Sequence, residues 1–163
     1  MKYVYLFPVL VGFFACSPAL KNQEKASVTE DSLQVKITQS IEEAAKDLET
    51  AVTGHNKTGV IDLLDPDYKE KEFQKLFKSH ETFFLNVFFC GKVIKAVDEF
   101  QCIDFEEISG IQRVKIERSI GQPAKISYKV SSPVREIETA ITLSLKADGV
   151  VGFIGSKGYT QVE

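Results

Sequence analysis

The chain has few of the cysteine and histidine side chains that bind zinc and other transition metals. Its 163 residues include three cysteines and two histidines. Cys90 and Cys102 lack the CxxC spacing of structural zinc sites. His55 and His80 do not form a ligand pair with these cysteines along the chain. The sequence therefore predicts no metal site and implies no cofactor.

Excess positive charge and a long apolar run are also lacking. The 20 Lys and Arg residues against 23 Asp and Glu residues give a formal net charge of -3. No basic patch dominates, so nucleic acid is not an expected partner. The uncharged run over residues 3–15 contains Pro8 and falls short of the about 20 apolar residues that a membrane-spanning helix needs. The sequence predicts no permanent anchor by this helix.

The N-terminus has the three parts of a secretory signal. Lys2 supplies a positive start, an uncharged run follows, and the run closes on the small residues Ala15 and Cys16. The polar stretch after Cys16 is typical of a flexible tether. This order predicts three segments, which are a signal peptide over residues 1–15, a tether over 16–32 and a single domain over 33–163. About 130 residues suffice for one domain with a substantial core.

The end of the signal segment, Phe13-Phe14-Ala15-Cys16, resembles the lipobox of bacterial lipoproteins. Phe13 departs from the family pattern, which usually has an aliphatic residue there. The resemblance implies that Cys16 is diacylated, becomes the mature N-terminus and attaches the protein to a membrane of the bacterial cell envelope. An aspartate directly after the cysteine would resemble the inner-membrane retention signal of enteric bacteria. This chain has Ser17 at that position, which favours the outer membrane. The alternatives are a soluble secreted protein cut near the same place and a buried, unmodified Cys16.

The two remaining cysteines, Cys90 and Cys102, form an even pair. In the oxidising compartment that the signal segment implies, such a pair predicts a disulfide. The alternative is a pair of buried free thiols, which are common in protein cores.

Helical periodicity dominates the first half of the domain. Apolar residues recur at helical spacing and predict a helix over residues 32–53 that ends at Gly54. Thr58 is the expected cap of a short second helix, and Asp65-Pro66 is a start signal for a third. The apolar stretch over residues 82–90 is compatible with a helix or with a buried strand.

Strand periodicity dominates the second half. Apolar and polar residues alternate in four segments, near residues 114–120, 126–130, 137–145 and 151–153. Asp148-Gly149 predicts a tight hairpin turn. Apolar residues on one face and polar residues on the other are typical of an antiparallel sheet with one covered face. The apolar residues, Val114 among them, are expected on the covered face. The sequence therefore predicts an α+β fold, with N-terminal helices packed on a curved antiparallel sheet.

The long helix is followed by the short connector His55-Asn56-Lys57-Thr58, then by a second helix that ends in Leu63-Leu64-Asp65-Pro66-Asp67-Tyr68, and then by the sheet. This order of elements resembles the NTF2-like (cystatin-like α+β roll) superfamily. The resemblance implies a sheet wrapped around the long helix as a cone, often with a pocket at its open end. The superfamily contains isomerases, dehydratases, binding modules and dimers, so the resemblance does not select a function.

Three residues are candidates for a pocket inside the cone: His80, Tyr128 and Arg118. A histidine and a tyrosine deep in the cone are suited to acid–base chemistry. Core packing is nevertheless the default explanation for both, with His80 expected on the apolar face of its helix and Tyr128 on the covered face of the sheet. Arg118 interrupts the apolar face of its strand, where it either reaches water near an edge or binds an acidic ligand. Asp104 is expected to face water. None of these residues belongs to a catalytic motif, so no catalytic residue is assigned.

The sequence favours a lipid-anchored, non-catalytic module of the cell envelope that binds a small apolar ligand or another envelope protein. One alternative is an NTF2-like enzyme of isomerase or hydrolase type, with His80 or Tyr128 in the cone. Others are a soluble secreted binding protein and an assembly role through the outer face of the sheet, which Thr142, Ser144 and Lys146 make polar.

Overall fold

The structure, a computed structural model, describes residues 20–73, 80–95, 99–119, 121–146 and 149–156. Within these ranges the chain has an α+β fold, as predicted. The helices are α1 (Leu20–Thr53), α2 (Lys57–Asp62), α3 (Pro66–Tyr68), which continues into a π-helical turn (Lys69–Phe73), and α4 (Glu81–Phe88). The strands are β1 (Cys90–Val93), β2 (Phe100–Cys102), β3 (Gly110–Glu117), β4 (Ala124–Ser131), β5 (Glu136–Lys146) and β6 (Gly149–Ser156).

Helix α1 begins at Leu20, twelve residues before the predicted start. The part of the predicted tether from Leu20 onward is therefore helical, and the rest of it lies outside the described residues. Its Lys, Gln, Glu and Ala residues are good helix formers, but the prediction relied on apolar periodicity, which is weak there. The periodic part behaves as expected, because Ile41, Leu48 and Val52 are buried.

Helix α1 ends in a Schellman-type arrangement at His55. The His55 N–H donates to Val52 O and the Asn56 N–H donates to Ala51 O. The left-handed residue is His55, with a φ of 49°, and not Gly54 as the glycine pattern predicted. Tertiary contacts of the His55 ring stabilise this left-handed residue. Its Nε2 lies 3.0 Å from Ile108 O, and the ring contacts Phe105 edge to face.

The caps of the next two helices follow local side-chain chemistry. Asn56 caps α2, because its Oδ1 accepts from the Gly59 N–H at 2.9 Å, so the expected Thr58 cap is wrong by two residues. Asp65 caps α3 as predicted, accepting from the Asp67 N–H at 2.9 Å, with Pro66 in the first helical position.

The six strands form one antiparallel sheet in the order β2-β1-β5-β4-β3, with β6 also paired to β5. The long β5 pairs with β1 near its start, where Ile137 faces Val93. It pairs with β6 near its end, from Ile141 to Lys146. The sequence predicted strands within β3, β4, β5 and β6 but missed the short β1 and β2. The apolar stretch left undecided contains both structures, a helix to Phe88 and a strand from Cys90.

Helix α1 packs across one face of the sheet and contacts both β3 and β6. These strands flank β4 and β5, so α1 lies over the full width of the sheet at this end. The core between them includes Tyr128, Ile126, Ile141 and Phe153, all at most 1% exposed.

A bulge in β3 changes which side chains face the helix. The register with β4 shifts between Arg113 and Lys115, which places Val114 in solvent, 59% exposed. The expectation that Val114 lies on the covered face is therefore wrong, because a bulge inserts one residue and reverses the alternation. Arg113 stands opposite Tyr128 in the register and is directed at α1.

Candidate functional site

The predicted lipidation site, Cys16, lies outside the described residues, as does the whole segment of residues 1–15. Lipidation therefore remains a prediction. Among the described residues, no helix combines the length and the apolar character needed to cross a membrane.

Cys90 and Cys102 are joined by a disulfide in the structure. They are direct partners in the antiparallel pairing of β1 and β2, with Cys90 buried and Cys102 exposed. Strand β2 pairs with β1 through three residue pairs. The disulfide adds a covalent link that holds this short edge strand to β1.

The disulfide leads to a prediction about stability. A link that closes a loop of this size contributes about 3 kcal/mol by restricting the unfolded chain. We expect reduction to lower the free energy of unfolding by roughly that amount, measured by urea denaturation with and without reductant. In a Cys16→Ser chain purified from an oxidising compartment, thiol counting after denaturation should find no thiol before reduction and two after it. Two thiols without reductant would contradict the bond.

The three predicted pocket residues do not come together. Tyr128 is fully buried in the core, whereas His80 is exposed and occupies the residue before α4. Arg118 is exposed just after β3, at a cleft whose lining includes neither of the other two. The position predicted for His80, on the apolar face of a helix, is wrong. A general base must reach its proton within about 3 Å or through one water, and a solvent-facing His80 with a core Tyr128 does not meet this condition.

The neighbours of Tyr128 form a charged cluster between α1 and β3. Arg113 pairs with Glu42 and, through Nε, with Glu49 Oε1 at 3.3 Å. Burial raises the pKa of the Tyr128 hydroxyl, Glu49 raises it further, and Arg113 opposes this increase. A hydroxyl held in its neutral form is suited to the core and poorly suited to act as a base.

This pKa gives a prediction for alkaline pH. The unfolded chain releases a tyrosine proton near pH 10, whereas native Tyr128 retains it, so the stability present below pH 10 is lost as the pH rises. We expect Tyr128→Phe to remove this loss, which amounts to about 1.4 kcal/mol at pH 11. Urea denaturation at pH 8 and pH 11 measures the difference. An identical decline in wild type and variant would show that Tyr128 is not responsible.

The cleft beside Arg118 has a volume of about 340 Å³ and is formed by three separate parts of the chain. Helix α1 contributes Gln34 and Ile37, and the end of β5 contributes Ser144, Leu145 and Lys146. The segment between β3 and β4 contributes Arg118, Ser119, Gly121, Gln122 and Pro123. Gly121, with a φ of 71°, allows the turn that brings Pro123 back toward the sheet. The volume lies at the lower end of the about 300–1,000 Å³ range of small-molecule sites.

Positive charge distinguishes this cleft. Arg118 Nη1 donates to Thr38 Oγ1 at 3.1 Å, and among the described residues neither Arg118 nor Lys146 forms an ion pair. Other basic side chains do, for example Lys129 with Glu136 at 2.9 Å. No described residue of the lining is acidic.

A second cleft, of about 610 Å³, lies beside His55 and includes Glu106, Glu107 and Arg135. Its lining carries charges of both signs. Lys57 pairs with Glu106 at 2.6 Å and this hydrogen bond lowers the pKa of the Glu106 carboxyl, while Arg135 donates to Gln101. The Arg118 cleft is therefore the better candidate for a ligand of one charge.

Asp104 belongs to a hydrogen-bonded group that links α4 to the segment after β2. Asp104 is exposed as expected and accepts a hydrogen bond from Asn86, whose Oδ1 in turn accepts from the Phe105 N–H at 2.9 Å. Within the described ranges, no group of three or more His, Cys, Asp or Glu side chains is placed to hold a metal ion.

Sequence reasoning found Arg118, through its interruption of an apolar alternation, but missed Gln34 and Thr38. These two polar residues carry no local signal, because their role depends on a turn that lies 80 or more positions away along the chain. The sequence matches no protein-family model and no curated protein. Evidence on function therefore comes from the pattern of the N-terminal residues and from the geometry of the cleft.

Proposed function

We propose that this protein is a lipid-anchored lipoprotein of the bacterial cell envelope whose domain is a non-catalytic binding module. The observation that carries the anchor is the leader with Ala15 and Cys16 at its end. A disulfide between Cys90 and Cys102 supports a compartment outside the cytoplasm, because such bonds persist in oxidising surroundings. Ser17 favours the outer membrane as the site of attachment.

The cleft beside Arg118 supports the binding role. It has the size of a small-molecule site, it is open to solvent, and it combines basic and polar groups with the apolar Ile37, Leu145 and Pro123. A ligand site typically has a small number of polar groups that converge on a partly apolar lining. A small ligand is therefore favoured over an envelope protein as the occupant.

We propose further that the domain is NTF2-like. Helix α1 lies across the sheet between β3 and β6, and a short connector leads to α2, as the resemblance implies. The bulges in β3 and along the β5–β6 pair are sites where a sheet bends. The cleft then corresponds to an opening between the long helix and the sheet.

Metabolic labelling with a fatty acid tests the anchor. The wild-type chain should incorporate label and fractionate with membranes, whereas Cys16→Ser should do neither, because two or three acyl chains on one residue supply the attachment. Cys102→Ser is the matched control, since it removes another cysteine and should label fully. A wild-type protein without label, or a Cys16→Ser variant that labels equally, contradicts the proposal.

A further inference from the structure

We propose that the cleft beside Arg118 binds a small anionic amphiphile, with its head group on Arg118 and Lys146 and its apolar chain on Ile37, Leu145 and Pro123. The inference rests on the proposed binding function and adds the chemical class of the ligand.

The head-group half of the site follows from unused hydrogen-bond donors. The guanidinium of Arg118 has five N–H donors, of which one contacts Thr38 Oγ1 at 3.1 Å. This contact orients the side chain along α1 without neutralising its charge. Lys146 lines the same cleft from the end of β5. Two cations with no acidic residue in the described lining favour a carboxylate or phosphate, which a guanidinium binds well.

The apolar half of the site follows from the other lining residues. Ile37 and Leu145 are half-buried against the core, so each presents part of its side chain to the cleft. Pro123 is exposed beside them. An ion without an apolar portion would leave this surface in water, whereas burial of each CH₂ of an acyl chain contributes about 0.8 kcal/mol. The combination favours an amphiphile over a simple anion.

The position of the cleft relative to Cys16 is compatible with a membrane-derived ligand. The helix rises about 21 Å between Leu20 and Gln34, and the four residues from Cys16 to Leu20 span at most about 14 Å. The cleft thus lies within roughly 35 Å of the point of acylation. Two sources supply this ligand chemistry, a lipid of the membrane and a free short-chain amphiphile.

The test uses the full chain in zwitterionic lipid nanodiscs and radiolabelled hexanoate, measured by equilibrium dialysis against empty nanodiscs. Hexanol keeps the chain without the charge, and acetate keeps the charge without the chain. The variants are Arg118→Gln, Lys146→Gln and, as the matched control, Lys92→Gln, which removes an exposed lysine in β1. Thermal unfolding shows whether each variant is folded. Arg118→Lys keeps the charge and loses the fork of donors.

We expect saturable binding of hexanoate that Arg118→Gln weakens about tenfold and Arg118→Lys weakens less, since a hydrogen bond to a charged group contributes at least that factor. Lys146→Gln should also weaken it, and Lys92→Gln should not. Competition by anionic lipid in the nanodisc would assign the ligand to the membrane, and its absence would assign it to a free amphiphile.

Two results would overturn the inference in different ways. Hexanol binding as tightly as hexanoate, with no effect of Arg118→Gln, would leave a small-molecule binding module but reject the anionic class. A folded chain that binds neither hexanoate nor hexanol would reject the proposed binding function of the cleft as well.

Discussion

Replacement of Phe88 by alanine is expected to lower the free energy of unfolding by about 4 kcal/mol. Phe88 is 0% exposed. The centre of its ring lies 5.6 Å from the ring centre of Phe84 and 5.3 Å from that of Phe89. The change removes buried apolar area and leaves a cavity that its rigid aromatic neighbours fill only in part. Urea denaturation monitored by circular dichroism measures the loss.

Phe83 provides the matched control on the same helix. It is 55% exposed, so Phe83→Ala has the same composition change and helix propensity change as Phe88→Ala but removes little buried area. We expect it to lower the free energy of unfolding by less than about 1 kcal/mol. Equal losses in the two variants would mean that α4 does not present these faces to core and solvent as described.

The second large effect is expected for Gly152→Ala, which should lower the free energy of unfolding by about 3 kcal/mol. A Cβ at this position would lie 2.4 Å from Asp65 N and 2.7 Å from Leu64 C. These are backbone atoms held in place, since Phe153 N donates to Leu63 O and Asp65 N donates to Phe153 O, both at 2.9 Å. The methyl group would force β6 away from the segment that connects α2 and α3.

Gly110→Ala is the control for the glycine substitution itself. Gly110 begins the edge strand β3, and a Cβ there meets no atom within 4 Å among the described residues. The free energy of unfolding should change by less than about 1 kcal/mol. A tolerated Gly152→Ala would contradict the close approach of β6 to Asp65, and with it the junction between the helical half and the sheet.

The aromatic-rich stretch over residues 82–90 shows why some elements were predictable and others were not. Its composition predicted burial but not conformation, because a short apolar run suits both helix and strand. The structure uses it for both, with the change of conformation at Phe89. Strand β2 has three residues, too few for alternation to be recognised.

Local chemistry and tertiary contacts decided different parts of this protein. The α+β class, the Asp65 cap and the long strand β5 follow from the sequence alone, because residues within a few positions of one another determine caps and periodicity. The Val114 bulge, the left-handed His55 and the cleft that joins Gln34, Arg118 and Lys146 depended on the tertiary structure. Packing of distant segments supplies their stabilising contacts, which no local pattern encodes.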